Sequence, residues 1–152
     1  MAANNLPTGY RLVEGYPSIE DYLNLRSSCL SPKPLEQSRV ALKGSWYGAY
    51  VVDETTTPPE AVAMGRVIGD GGWYFLIADI MTLPEHQRKG LGDAVFKNLL
   101  AGIKSRAVKG TAYISLGADL PGRKLYQRNG FKETMPKVMG MSMLLECEGL
   151  KE

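Results

Sequence analysis

Apolar and polar positions change period several times along this chain, and each change marks an element. Tyr10–Glu14 alternates weakly and predicts a first strand after a frayed start over residues 1–8. Ser18 offers an N-cap, with Asp21 three residues on as a weak capping-box variant. Ile19, Tyr22, Leu23 and Leu25 then recur at helical spacing, so a helix runs to about Cys29. Pro32 and Pro34 break it, and residues 35–42 predict a second short helix. Residues 46–52, rich in aromatic and β-branched side chains, read as a strand. A polar loop over 53–59 leads to a hairpin partner at 61–68, and the glycine-rich turn 69–72 to a long apolar strand at 73–83, interrupted only by Asp79. Residues 93–107 place Ala94, Val95, Leu99, Leu100 and Ile103 on one helical face. A buried strand at 111–116, a helix at 121–129 ended by Gly130, and a last strand at 139–145 complete the order. That order predicts an α/β (α+β) domain of three layers around one mixed sheet.

Composition narrows the function. At 152 residues the chain is the usual size for one domain, and 44% hydrophobic residues suffice for a core. Lys and Arg number 18 against 16 Asp and Glu, a formal charge of +2 that argues against general binding to nucleic acid. One histidine and two distant cysteines, Cys29 and Cys147, give no metal-ligand spacing, so no metal and no disulfide are expected. The start of the chain does not read as a signal peptide, and no run approaches the ~18 apolar residues of a membrane span. A reduced, cytoplasmic setting with no membrane partner is the expectation.

The segment 83–93 carries the clearest chemistry. An apolar strand ends at Pro84, a polar turn follows, and an amphipathic helix starts near Leu91. Gly90 and Gly92 let the backbone turn tightly and approach a ligand. The first helical amides lack intrahelical partners and favour an anion, and Arg88 and Lys89 add positive charge. A pyrophosphate is the natural guest. Neither GxxxxGK[ST] nor GxGxxG is present, which disfavours a plain nucleotide-binding protein. Taken alone, the segment also fits an ordinary strand-to-helix turn with two solvated cations.

Gln87-x-x-Gly90-x-Gly92 resembles the Q/R-x-x-G-x-G/A motif of the GNAT family of N-acetyltransferases, and residues 125–131, LYQRNGF, resemble its LYxxxGF signature. The motifs lie about 35 residues apart, with room for a helix and a strand between them, and the order of elements matches along almost the whole chain. The resemblance implies a single acyl-CoA N-acyltransferase domain over 1–152. Its sheet would be mixed, mostly antiparallel and six- to seven-stranded, splayed between strands 4 and 5, with helices on both faces. It implies acetyl-CoA as co-substrate, held by Gln87, Arg88, Lys89, Gly90, Leu91, Gly92 and Asp93. Backbone groups of Met81 and Leu83 would pair with pantetheine, and Tyr126 would protonate the leaving thiolate. Where such families often carry an asparagine that contacts pantetheine, this chain has Asp119, which alternatively caps the following helix. A small residue four before the tyrosine is kept as Gly122.

Direct attack on the thioester needs a deprotonated amine but no nucleophilic side chain. Asp79 is the candidate base, or an anchor for a substrate ammonium; a buried carboxylate accepting hydrogen bonds is the structural alternative. Period-two alternation puts it on the face of Phe75, Ile77, Met81 and Leu83. His86 and Asp70 read as turn residues. Tyr22, Arg26, Trp46, Tyr47, Arg66, Trp73 and Tyr74 are candidates for acceptor selectivity. The partner implied is a small-molecule primary amine, with a peptide or protein amine, or a non-catalytic CoA-binding module, as alternatives. A homodimer through a C-terminal edge strand is compatible with the pattern.

Overall fold

A computed structural model of the chain describes residues 5–150. The strands are β1 (Tyr10–Glu14), β2 (Tyr47–Asp53), β3 (Glu60–Gly69), β4 (Tyr74–Thr82) and β5 (Tyr113–Ser115). The helices are α1 (Ile19–Cys29), α2 (Leu35–Lys43), α3 (Leu91–Arg106) and α4 (Arg123–Arg128), with 3₁₀ turns at Pro84–His86 and Leu120–Gly122. The described residues up to Gly117 form one compact unit and those from Ala118 onward a second.

In the first unit the strands lie in the order β1-β2-β3-β4-β5, antiparallel except for the parallel pair β4 and β5. Sequence and structure agree closely on α1: Ser18 Oγ accepts from the Asp21 N–H at 3.2 Å, and the helix ends at Cys29. The frayed start expected over 1–8 falls partly outside the described residues; within them, 5–7 have no regular structure and the Tyr10 N–H donates to Pro7 O. The α3 helix buries Leu91, Val95, Phe96, Leu99 and Ile103. Each of these large side chains contributes roughly 1.5–3 kcal/mol by leaving water.

Two features of β4 position the site. It shares backbone pairing with β5 only over Tyr74–Leu76, opposite Tyr113–Ser115, so from Ile77 onward its outer edge has no strand partner among the described residues. A bulge also breaks its pairing with β3: Met64 faces Met81, but Arg66 faces Ala78, leaving one extra residue on β4. Asp79 sits in this bulge at φ 55°, a left-handed conformation that Asp tolerates better than most side chains. Opposite it, a Cβ on Gly65 would fall 2.5 Å from Ile80 Cδ1 and 2.8 Å from Leu99 Cδ1, so only glycine admits α3 this closely.

The bulge corrects the face assigned to Asp79. Directly paired residues share a face. Ile77 faces Val67, which faces Tyr47, whose hydroxyl reaches Asn98 on α3. Asp79 instead meets Tyr22 and Arg26 on α1. The extra residue shifts the alternation, so Asp79 and Ile77 lie on opposite faces of the sheet.

Among the described residues the sheet has five strands rather than six to seven. Residues 139–145, expected as a last strand, have no regular structure, and Met141 and Leu144 are 91% and 98% exposed. A strand exists through its ladder of backbone hydrogen bonds, and this segment joins no sheet among the described residues. The second unit's ordered part is Leu120–Gly122 followed by α4, closed by Gly130 at φ 90°.

Candidate active site

The start of α3 has the form of an anion cradle. Gly90 occupies its N-cap at φ 79° and, lacking a side chain, caps none of the first amides. Arg88 is also left-handed, at φ 61°, so two positive-φ residues two apart curl the backbone into a concave turn. A Cβ on Gly90 would meet nothing within 4 Å, which leaves the space before the helix open. Leu91 is buried and pins the helix start to the core, whereas residues 87–90 are exposed. Asp93 in the first turn is ion-paired with Lys97 at 2.7 Å. Open space, free-standing first-turn geometry and two flanking cations fit a pyrophosphate.

Side chains hold this loop to its surroundings. Gln87 Nε2 donates to Thr82 O at 3.1 Å, tying the turn to the end of β4. Lys89 Nζ donates to the Tyr10 hydroxyl at 3.1 Å and lies 5.6 Å from that ring's centroid. The same hydroxyl bonds His86 Nδ1 at 2.7 Å. No local signal points to Tyr10, because its partners follow β4, at the other side of the strand order. His86 is thus a half-buried turn residue that braces β1 against the loop.

The unpartnered edge of β4 runs into this loop. Leu83 N–H donates to Val62 O at 2.8 Å, and Leu83 O accepts from the His86 N–H at 2.9 Å, so both backbone groups of Leu83 are engaged within the chain. Antiparallel pairing alternates, and Met81, two residues before Leu83 and paired with Met64, likewise turns its backbone toward β3. Thr82 is the residue whose backbone faces outward. Its carbonyl accepts from Gln87 Nε2 and from Cys29 Sγ, the latter at 3.4 Å. Of the backbone groups in this stretch, those of Met81 and Leu83, expected to pair with pantetheine, are thus turned into the chain, and those of Thr82 are turned out.

Asp79 is the hub of a buried charged cluster. Its Oδ1 accepts from Arg26 Nη1 at 3.0 Å, and its Oδ2 from Arg66 Nε and from the Tyr22 hydroxyl, both at 2.7 Å. The side chains of Arg26, Arg66 and Asp79 are 10%, 13% and 7% exposed. Burial alone would raise the carboxyl, but the hydrogen bonds from Tyr22 and Arg66 and the charges of both arginines outweigh it and hold it below the usual range. Tyr22 is pushed up to about 12, first by burial and then by its bond to Asp79 and that carboxylate's charge. A carboxyl held this low is a weak proton acceptor. Arg26 and Arg66, expected near an acceptor, do meet here. Tyr47 belongs to the α3 face, and Trp73 and Tyr74 are exposed. Asp70 is a turn residue whose Oδ1 accepts from the N–H groups of Gly72, Trp73 and Tyr74.

In the second unit, Tyr126 is buried on α4 with its ring tilted against Phe131 at 6.5 Å between centroids. A Cβ on Gly122 would lie 2.8 Å from Tyr126 Cε2, so the ring occupies the space that a side chain would fill. Burial first, and the charge of Asp119 second, raise its phenol, which stays protonated at neutral pH. Asp119 stands at the N-cap of the 3₁₀ turn but makes no side-chain cap bond; only its carbonyl accepts, from the Gly122 N–H at 3.1 Å. Among the described residues no three His, Cys, Asp or Glu side chains converge as a metal site, and no helix is long and apolar enough to cross a membrane.

Residues 45–133 match the family model described as an acetyltransferase (GNAT) domain. A probable acetyltransferase of unknown function from meticillin-resistant Staphylococcus aureus is 34% identical in a structural match at TM-score 0.80, covering 90% of this chain and 99% of that one. A GNAT acetyltransferase from Streptococcus pneumoniae, 20% identical, shares the fold at TM-score 0.73, covering 91% of this chain and 99% of that one. An uncharacterised N-acetyltransferase of Porphyra purpurea is 26% identical over 109 residues, which span 72% of this chain and 61% of that protein. The chain belongs to the GNAT family of acetyltransferases.

Proposed function

We propose that this protein transfers an acetyl group from acetyl-CoA to a primary amine of a small molecule by direct attack in a ternary complex. The observation that carries the reading is the start of α3: two left-handed residues and an uncapped helix end continue an unpartnered strand edge. The cradle suits the pyrophosphate, and the outward-facing N–H of Thr82, whose carbonyl is held by Gln87 and Cys29, suits a carbonyl of pantetheine. Bound acetyl-CoA supplies the thioester. The chain's own task is to fix it, to meet the amine and to protonate the thiolate that leaves.

Tyr126 is the proposed proton donor, since its raised phenol keeps its proton at neutral pH. Asp79 serves the site as an anchor for Arg26 and Arg66, and the amine's proton passes to ordered water. Release of CoA with a panel of small amines, alongside calorimetric titration with CoA, tests the whole. Binding with amine-dependent CoA release is expected. Binding without release from any amine indicates a non-catalytic CoA-binding module, and an absence of binding at micromolar concentrations refutes the cradle. Gly90→Asp sets a side chain and a negative charge at the α3 N-terminus and is expected to abolish CoA binding; retained affinity would contradict the loop assignment.

A further inference from the structure

We propose that the acceptor amine also carries an anionic group, a carboxylate or a phosphate, bound by Arg66. This rests on the acetyl-transfer reading and narrows its substrate class. The charge count around Asp79 is the starting point. Two guanidiniums share one carboxylate, and all three side chains are at least 87% buried, so the cluster holds one positive charge in excess where water is scarce. An excess buried charge is costly unless a counter-ion meets it. The other acids of α1 and α2 do not supply one. Asp21 Oδ2 accepts from the Ala61 N–H at 3.1 Å, Glu36 pairs with Arg39, and Glu20 is exposed.

The two arginines differ in what they leave over. Arg26 spends all three nitrogens: Nε on Ser31 O, Nη1 on Asp79 and Nη2 on Ser31 Oγ. Arg66 spends Nε on Asp79 and Nη1 on Ser45 Oγ and Ala41 O, at 3.1 and 3.4 Å. Its Nη2 has no partner among the described residues. No fully buried side-chain nitrogen or oxygen among the described residues lacks one, so Nη2 reaches solvent. The result is a guanidinium clamped by three neighbours that offers one charged donor outward. Such a donor is pre-oriented for a carboxylate or phosphate oxygen.

Its position fits an acceptor. Arg66 faces Ala78, on the stretch of β4 that β5 does not accompany, and its anchor Asp79 lies three residues before the outward-facing Thr82. A polyamine would meet the excess positive charge and be repelled, and a neutral amine would gain nothing from Nη2.

The test is CoA release with two matched pairs: an α-amino acid against its carboxamide, and an aminoalkyl phosphate against its amino alcohol. The anionic member of at least one pair is expected to show kcat/KM at least ~10-fold higher, the scale of one charge-assisted contact. Which pair discriminates identifies the anion. Arg66→Met should erase the preference through KM, and Arg66→Lys should restore part of it; thermal melts of both variants establish that they fold. In parallel, the Arg66 Nε–H resonance is followed while acetate or inorganic phosphate is added, with chloride as control. Turnover blind to charge overturns the proposal and leaves acetyl transfer standing. Turnover of no amine, with a saturable Arg66 shift, overturns acetyl transfer and keeps the anion site. Neither preference nor shift overturns the anion site outright.

Discussion

Replacing Asp79 with Asn separates an anchoring role from a proton-accepting one. The substitution keeps the shape of the side chain but leaves Arg26 and Arg66 facing a neutral amide at 3.0 and 2.7 Å. Removing one partner of a buried pair costs about 3–5 kcal/mol. The amide oxygen retains one hydrogen bond worth ~1 kcal/mol, which sets the expected loss near 3 kcal/mol. For a chain of this size that corresponds to a fall in Tm of roughly 6–12 °C. Urea denaturation followed by tryptophan fluorescence measures it. The pH dependence supplies a second check. The folded carboxyl is held below its ordinary value, so its contribution is complete above the unfolded pKa of ~3.9 and is lost as pH falls through the lower folded value. The gap between parent and variant should stay constant from about pH 8 to pH 5 and narrow below about pH 4. A loss under ~1 kcal/mol would refute the argument, since an exposed pair is worth that much. So would a fully stable variant whose kcat falls ~100-fold, the signature of a lost general base.

Two further substitutions test geometry at other points. Gly65→Ala places a methyl group 2.5 Å from Ile80 Cδ1 and should cost about 1–3 kcal/mol by overpacking; an unchanged urea midpoint would show that α3 yields freely. Tyr126→Phe should lower kcat by ~10- to 100-fold with little change in KM for acetyl-CoA, and undiminished turnover would remove Tyr126 from the acid role.

Local signals were enough to locate much of the first unit. Ser18 and Asp21 marked the start of α1, and the apolar stripe of Val95, Leu99 and Ile103 marked α3 within two residues of its ends. The concave turn before α3 was legible for the same reason, because glycines and cations adjacent in sequence are adjacent in space. What failed to show was long-range. Period-two reading misplaced Asp79, because the bulge depends on Gly65 across the ladder, and its partners Arg26 and Arg66 stand 53 and 13 residues away. Leu83 was expected to offer its backbone outward, but its N–H belongs to Val62, a register that no stretch of one strand reveals. At 139–145, alternating Met139, Met141 and Met143 satisfy the strand pattern, yet alternation describes one strand and says nothing of the edge it needs.

The bulge ties these observations into one device. One extra residue on β4 turns the Asp79 carboxylate toward α1, where it draws Tyr22 and Arg26 against the sheet, and it brings Arg66 in from β3. The same residue lies on the stretch of β4 that has parted from β5, so the charge that docks α1 stands beside the open strand edge. A hydrophobic cluster could dock α1 equally well and without the desolvation cost of two guanidiniums. Its replacement by a charged cluster with one cation to spare has a physical rationale if that cation meets a ligand. Substituting the Asp79, Arg26 and Arg66 trio with apolar residues of similar volume should then give a protein at least as stable as the parent. It should also have lost its preference for anionic amines, whereas a stabilised variant that kept the preference would place the recognition elsewhere.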